Sequence, residues 1–250
     1  MVCRGTRAGG WMKFLSVDIE ISDVFELGKH EDMDKYAPFH ISVAATAVQG
    51  GEERVWYSEQ NGQPALNLTP QRAHELLEYL EDMQRSGYNV CAWNGLGFDL
   101  KWIGHHAEDI PLAARIALDS YDPMFQFFNQ RGFPVGLEAV GRAMGVKQGK
   151  LMDAAQAPRE WRAGNYQRVM DYVLTDVRIL NQLVAAIARE GAIRWVTQRG
   201  TTDREPIPRL KTVAEVLRDP EPDQSWMRGG GLKRRLFIDW LPKHILNESP

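Results

Sequence analysis

Hydrophobic and polar positions along this chain switch between a two-residue and a near-four-residue period. The run Lys13-Phe-Leu-Ser-Val-Asp-Ile-Glu20 is β-favouring and closes on acids, which predicts a buried strand over 13–20. A polar segment over 22–38 leads to a second expected strand at 40–48. Gly50-Gly51 then turns the chain into a third at 53–58, paired as a hairpin. Thr69-Pro70 has the form of a helix start with proline in the first turn, and Ala73, Leu76, Leu77, Leu80 and Met83 form a stripe at helical spacing. Tyr88 to Trp93 reads as a short apolar strand broken by Asn94-Gly95, followed by a helix from near Phe98 to about Ala107. Residues 109–160 read as short helices and loops, one helix covering Leu137 to Met144. A long helix is predicted over about 164–190, apolar at 166, 169, 170, 173, 177, 180, 184 and 187. Ile193 to Val196 is expected as a short edge strand, and 212–218 as a further helix.

Consecutive strands followed by strand–helix alternation predict an α/β fold: a mixed sheet, three antiparallel-type strands and then parallel ones, with helices on both faces. Residues 12–198 are read as one domain, 199–250 as an extension packed on it, and 1–11 as a flexible leader. The 250 residues are 44% hydrophobic, enough for a substantial core. No run reaches the roughly 18 apolar residues of a membrane helix, and the first residues lack the apolar block of a secretory signal. Cys3 and Cys91 are the two cysteines, too few for a disulfide framework, so a reducing, cytoplasmic setting is the default expectation. His105 and His106 are adjacent and point about 100° apart on a helix, which argues against a shared metal. The formal net charge of −3 is not that of a typical nucleic-acid binder. Carboxylates engaged in metal binding soften that objection, so charge does not decide the case.

Three groups of acids carry the candidate chemistry. Asp18 and Glu20, two apart on a strand, project from the same face. Asp99 follows the strand Tyr88–Trp93 through Asn94-Gly95-Leu96-Gly97-Phe98, which places a carboxylate near a strand's C-terminal end and at a helix start. Tyr172 and Asp176, four apart on the long helix, lie one above the other at the edge of its apolar stripe. Taken singly, each admits an ordinary explanation. Those explanations are a strand that ends at Val17 with both acids solvated, an Asp99 that answers a helix macrodipole, and a Tyr172 that is a boundary ring beside an exposed acid.

Taken in order, Asp18-Ile19-Glu20, Asn94-Gly95-Leu96-Gly97-Phe98-Asp99 and Tyr172-Val173-Leu174-Thr175-Asp176 resemble the three motifs of the DEDD superfamily of 3′–5′ exonucleases. The tyrosine in the third motif resembles the DEDDy subclass; the position five before the final acid, where the sister subclass has histidine, is Asp171. The segment 157–176 and that from Pro208 to Trp226 also look like a subgroup of bacterial exonuclease-like proteins whose members are uncharacterised. Ile21-Ser22 departs from the Thr-Thr-Gly found after the first motif in many proofreading relatives.

The resemblance implies a ribonuclease-H-like fold and a two-metal-ion 3′–5′ exonuclease that releases nucleoside 5′-monophosphates from single-stranded ends. DNA is the first reading. RNA trimming in the manner of ribonuclease D, or a non-catalytic nucleic-acid-binding module, is the alternative. It further implies that Asp18, Glu20, Asp99 and Asp176 hold two Mg²⁺ or Mn²⁺ ions, Tyr172 orients the attacking water, and Asn94 and Phe98 contact substrate. Hard oxygen donors without His or Cys suit those cations. Four carboxylates about 6 Å apart would otherwise repel by on the order of 15 kcal/mol at an effective dielectric near 20.

Weaker candidates are Lys147 and Lys150 as phosphate contacts and the basic–aromatic run Trp226 to Arg235 as a clamp on a strand. Asp119 and Asp122 read as cap and turn residues.

Overall fold

A computed structural model of the protein describes residues 12–26, 28, 33–146, 152–227 and 231–248. Strands β1 (Phe14–Ile21), β2 (Ile41–Val48) and β3 (Glu53–Trp56) come first, β1 and β2 being joined through a 3-10 turn at Met33–Tyr36. A two-strand ribbon, β4 (Glu59–Gln60) and β5 (Gln63–Pro64), leads to helix α1 (Pro70–Arg85) and strand β6 (Asn89–Cys91). Helices α2 (Asp99–His106), α3 (Ile110–Leu118), α4 (Pro123–Arg131), α5 (Leu137–Ala143) and α6 (Ala157–Arg162) precede α7 (Tyr166–Glu190). The hairpin β7 (Ala192–Val196) and β8 (Thr202–Pro206) follows, then α8 (Val213–Leu217), α9 (Arg235–Ile238) and α10 (Lys243–Glu248).

The main sheet has the order β3-β2-β1-β6, antiparallel between the first three strands and parallel between β1 and β6. This is the mixed sheet expected. Two details differ from the sequence reading. The third strand stops at Trp56, and residues 59–60 belong to the separate ribbon. Residues 192–196 pair with 202–206 in a two-stranded sheet of their own instead of edging the main one. Beyond β6 the main sheet continues through one residue, Tyr121, whose N–H donates to Val90 O at 2.8 Å and whose carbonyl accepts from Ala92 N at 3.2 Å.

Capping residues fix the helix starts. Thr69, Asp109 and Asp122 each accept a hydrogen bond from the first turn of α1, α3 and α4, with a proline in that turn. Gly191 closes α7 at a φ of 61°, in the left-handed region that favours glycine.

Alternation along β1 separates two environments. Leu15, Val17 and Ile19 face the core under α1, α2 and α3. The intervening Ser16, Asp18 and Glu20 face α7. On the same face β2 presents Val43, Ala45 and Ala47, which pack with Val169, Met170, Val173 and Val177 of α7. Helices therefore cover both faces of the sheet. Ala45, the register partner of Asp18, leaves room for a carboxylate beneath the helix. Farther along, Asn181 ties α7 to the sheet: its Oδ1 accepts from Ser16 Oγ at 3.0 Å and its Nδ2 donates to Ala47 O at 2.8 Å. No described helix is long and apolar enough to cross a membrane.

Asn181→Ala leaves the buried Ser16 hydroxyl and Ala47 carbonyl unpartnered, so a loss of about 1–3 kcal/mol in urea unfolding is expected. A variant as stable as the parent would show that α7 does not depend on this clamp.

Candidate metal centre

β1 continues past Val17 to Ile21, and Glu20 is 8% exposed, so the two acids of the first motif are not solvated strand-end residues. Asp176 descends onto them from α7. One carboxylate oxygen from each of Asp18, Glu20 and Asp176 lies within 4.8 Å of the others. At that spacing each ionised pair repels by on the order of 3 kcal/mol at an effective dielectric near 20. An oxygen-only trio of this kind is the donor set that hard divalent cations take.

Asp99 approaches Asp18 from the other side. β6 pairs with β1 only through Ser16, so the Ile19 N–H has no strand partner in that direction. Asp99 Oδ1 accepts it at 3.1 Å, and the Asp99 side chain also makes a hydrogen-bonding contact with Asp18. Asp99 is 3% exposed and is the first residue of α2. The four acids distant in sequence thus come together, three as a tight trio and the fourth held by β1's own backbone.

Their protonation follows from this crowding. Burial first, then the charges of Asp99, Asp176 and Glu20, hold the Asp18 carboxyl well above the ordinary carboxylate range. Burial, with Asp176 and Asp99, does the same to Glu20. Asp99 is pushed up to about 7 by burial, against the lowering effect of its backbone donors. Asp176 is pushed up to about 6 by burial, partly offset by a hydrogen bond from Tyr172. The Tyr172 phenol moves further above its usual value through burial and the nearby carboxylates, which keeps it protonated and a hydrogen-bond donor.

The loop that delivers Asp99 is fixed from two directions. Buried Asp122 caps α4 and also reaches back to it, accepting from Asn94 N at 3.1 Å and Leu96 N at 3.1 Å. Asp122 is therefore more than the cap expected of it. Asp119, at the end of α3, is the helix-end residue expected. From the C-terminal segment, Trp240 Nε1 donates to Leu96 O at 2.8 Å and Phe237 packs on Gly97. A Cβ on Gly95 would lie 2.2 Å from that of Ala92, and one on Gly97 2.6 Å from Asn94 Oδ1 and 2.9 Å from Phe237 Cδ1. Both glycines are required by close approach.

A cleft of about 890 Å³ opens over the acids. Asn94 and Phe98 line it, as do Asp23, Glu26, Asp153 and Arg159. Asn94 Oδ1 is buried without a hydrogen-bond partner among the described residues. Phe98 packs on Phe39 with ring centroids 5.7 Å apart, and Phe39 on Phe25, which stacks on Tyr36 at 4.5 Å. Of these rings Phe25 and Phe98 line the cleft; apart from Phe98, the rings, Asp153 and Arg159 are unmarked by any spacing in the sequence. Lys147 and Lys150 lie outside the described residues, as do 228–230 of the C-terminal basic run. Of that run, Trp226 is 60% exposed and Phe237, just beyond it, is buried in the main core.

No family model and no curated protein matches the chain. Among solved structures, the family B DNA polymerase from the hyperthermophilic archaeon Pyrobaculum calidifontis is similar with a TM-score of 0.50 and 13% identity. The match covers 73% of this chain and 25% of the polymerase chain, so the chain spans about a quarter of that neighbour. At this identity the likeness is one of fold, and it accords with the ribonuclease-H-like class expected from the sequence.

Raised carboxyl pKa values mean that the folded state keeps protons the unfolded chain has already lost. Stability of the metal-free protein therefore falls as pH rises from about 4 to about 7. Asp18→Asn removes one charge from the cluster and should raise the melting temperature at pH 7.5 by several degrees, on the scale of roughly 2–4 °C per kcal/mol, and by less at pH 4. Mn²⁺ should stabilise the parent more than this variant. Equal melting temperatures with equal Mn²⁺ response would contradict the crowding.

Gly97→Ala should cost about 1–3 kcal/mol by overpacking and weaken Mn²⁺ binding in calorimetry, because Phe237 and Asn94 leave no room. Undiminished Mn²⁺ affinity would show that the loop does not set the position of Asp99.

Proposed function

We propose that this chain is a divalent-cation-dependent nuclease that hydrolyses phosphodiester bonds at the 3′ end of a single nucleic-acid strand, releasing nucleoside 5′-monophosphates. The observation that carries the reading is the meeting of Asp18, Glu20 and Asp176, within 4.8 Å of one another, with Asp99 against Asp18. An isolated buried cluster of this charge is costly and has no described basic residue among the causes that set its protonation. The order of the three sequence motifs and the fold shared with a DNA polymerase add weight.

In this reading Asp18, Glu20, Asp99 and Asp176 hold the cations, with Mg²⁺ or Mn²⁺ suited to their oxygens. Bound divalent cations supply the positive charge and Lewis acidity that phosphodiester hydrolysis requires. Tyr172, kept protonated and donating its one O–H to Asp176, orients water by accepting a hydrogen bond from it at the phenolic oxygen. A phenol of raised pKa is a poor base at neutral pH. Asn94 and Phe98 line the cleft, and Phe98 with Phe25 gives a ring surface on which a terminal base can lie. An end-directed activity accords with a cleft of about 890 Å³ that admits a strand terminus. The 199–250 segment acts as an extension of the same unit, since Phe237 and Leu241 share the core that supports α2.

Digestion of 3′-labelled and 5′-labelled single-stranded DNA and RNA with Mn²⁺ tests the activity, its polarity and its sugar preference together. Asp18→Asn and Asp176→Asn should each lower turnover by at least about 100-fold, with an unaltered circular dichroism spectrum. Tyr172→Phe should slow turnover about 10–100-fold with a near-constant KM. Wild-type turnover by folded Asp18→Asn would end this assignment. Tight oligonucleotide binding without any hydrolysis would favour a non-catalytic module.

A further inference from the structure

The cleft walls are electrostatically one-sided. Among the described residues that line it, seven are acids and one, Arg159, is a cation. Four of those acids are the candidate metal ligands, whose charge two divalent cations would balance. Asp23, Glu26 and Asp153 remain, and Asp23 is engaged with His40: its Oδ2 accepts from the His40 backbone N–H at 2.6 Å and its Oδ1 lies 3.0 Å from the imidazole Nδ1. A polyanion entering this space meets an acidic rim, so a fixed cation there has a disproportionate effect.

Arg159 is held in place by helix α6 and loosely held by its own partner. Trp161 anchors α6, 1% exposed and donating from Nε1 to Ala65 O and Leu66 O at 3.1 Å. Arg162 Nε donates to Ser22 O at 2.7 Å, which ties the same helix to the segment leaving β1 two residues after Glu20. Among the described residues Arg159 has one ion-pair contact, at 3.7 Å with Glu26, which is 93% exposed at its side chain. By contrast, Arg168 and Arg72 sit 2.8 Å and 2.7 Å from Glu160 and Glu75. A long, solvent-exposed pair contributes little and is readily exchanged.

We propose that Arg159 is a substrate-binding residue that takes a backbone phosphate of the strand entering the cleft, exchanging its contact with Glu26 for that phosphate. The guanidinium fork matches a phosphate in two parallel hydrogen bonds, which Glu26 at 3.7 Å does not provide. Glu26 thereby competes with substrate for the same cation. The assignment rests on the nucleic-acid reading of the site and adds to it the residue that offsets the acidic rim.

The test is fluorescence anisotropy of a 5′-fluorescein ten-nucleotide oligodeoxythymidylate binding to the full chain in Ca²⁺, across a salt series. Arg159→Gln should weaken binding by about tenfold, the equivalent of one charge-assisted hydrogen-bonded contact. It should also reduce the slope of log affinity against log salt by about 0.7, the single-strand value for one phosphate. Arg159→Lys should restore the slope but only part of the affinity. Glu26→Gln should tighten binding. Arg168→Ala, which removes a charge already paired with Glu160, should leave both quantities unchanged. If the parent binds and Arg159→Gln matches it in affinity and slope, or if Arg168→Ala loses as much, the assignment of Arg159 is overturned and the metal-centre reading stands. If the parent binds no oligonucleotide, the nucleic-acid reading itself falls, and this assignment with it.

Discussion

Mutual repulsion among carboxylates gathered between β1 and α7 is the constraint around which this molecule is arranged. Asp18 and Glu20 occupy positions on an interior strand where apolar side chains would be expected, and Asp176 is lowered onto them by a helix that buries its neighbours Val173 and Val177. Such an arrangement opposes folding in the metal-free state at neutral pH, and the surrounding packing has to overcome it. The answer lies on either side of the acids along the same face. Toward one end Asn181 joins Ser16 to Ala47, and toward the other Trp161 and Tyr166 pack edge to face at 4.9 Å where α6 meets α7. The helix is pinned above and below the charge, and about 37 Å of α-helix gives it the span to reach both anchors.

Asp99 is governed by a different device. Its carboxylate takes a backbone N–H that β6 releases by ending early, so the sheet's own irregularity creates the hydrogen-bonding position. Getting it there requires a turn too tight for side chains at Gly95 and Gly97, with Asn94 at a φ of 68°. Backbone of that kind holds its shape only when over-determined. Asp122 supplies two acceptor contacts from the α4 side and Trp240 a donor from the C-terminal segment. The acid in the cleft thus depends on a second buried acid, itself pushed up to about 6 by burial, and on residues more than 130 positions away in sequence.

This division explains what was legible in the chain itself. Period and caps reported the elements well: the α1 stripe, the Thr69-Pro70 start and the long apolar face of α7 all follow from local chemistry. The same-face placement of Asp18 and Glu20 follows from strand geometry, and Tyr172 with Asp176 from helix geometry. What period cannot convey is how far a strand continues once it becomes polar, so a strand ending at Val17 remained open until β2 was seen to pair as far as Ile21. Residues 192–196 read as an edge strand because pairing partners are non-local, and β8 is too polar to announce itself. The roles of Asp122, Trp240 and Arg159 were hidden for the same reason: each acts across the fold on a backbone or a cleft, and none belongs to a spaced pattern.

The cleft's chemistry follows from its two unlike sides. One is a floor of acids that favours cations and repels bare phosphate; the other is Phe98 and Phe25, backed by Phe39 and Tyr36, which favours flat apolar surface. A free base or an inorganic phosphate satisfies at most one of them. A ligand that joins a flat ring to a phosphate matches both, once cations balance the acids. Selection by such a cleft comes less from general attraction to polyanions, which a net charge of −3 does not provide, than from rejecting ligands that bring one half of the match. For the hydrolysis proposed above, weak global attraction has a use, because the acidic rim that slows entry of a polyanion also favours departure of a charged product.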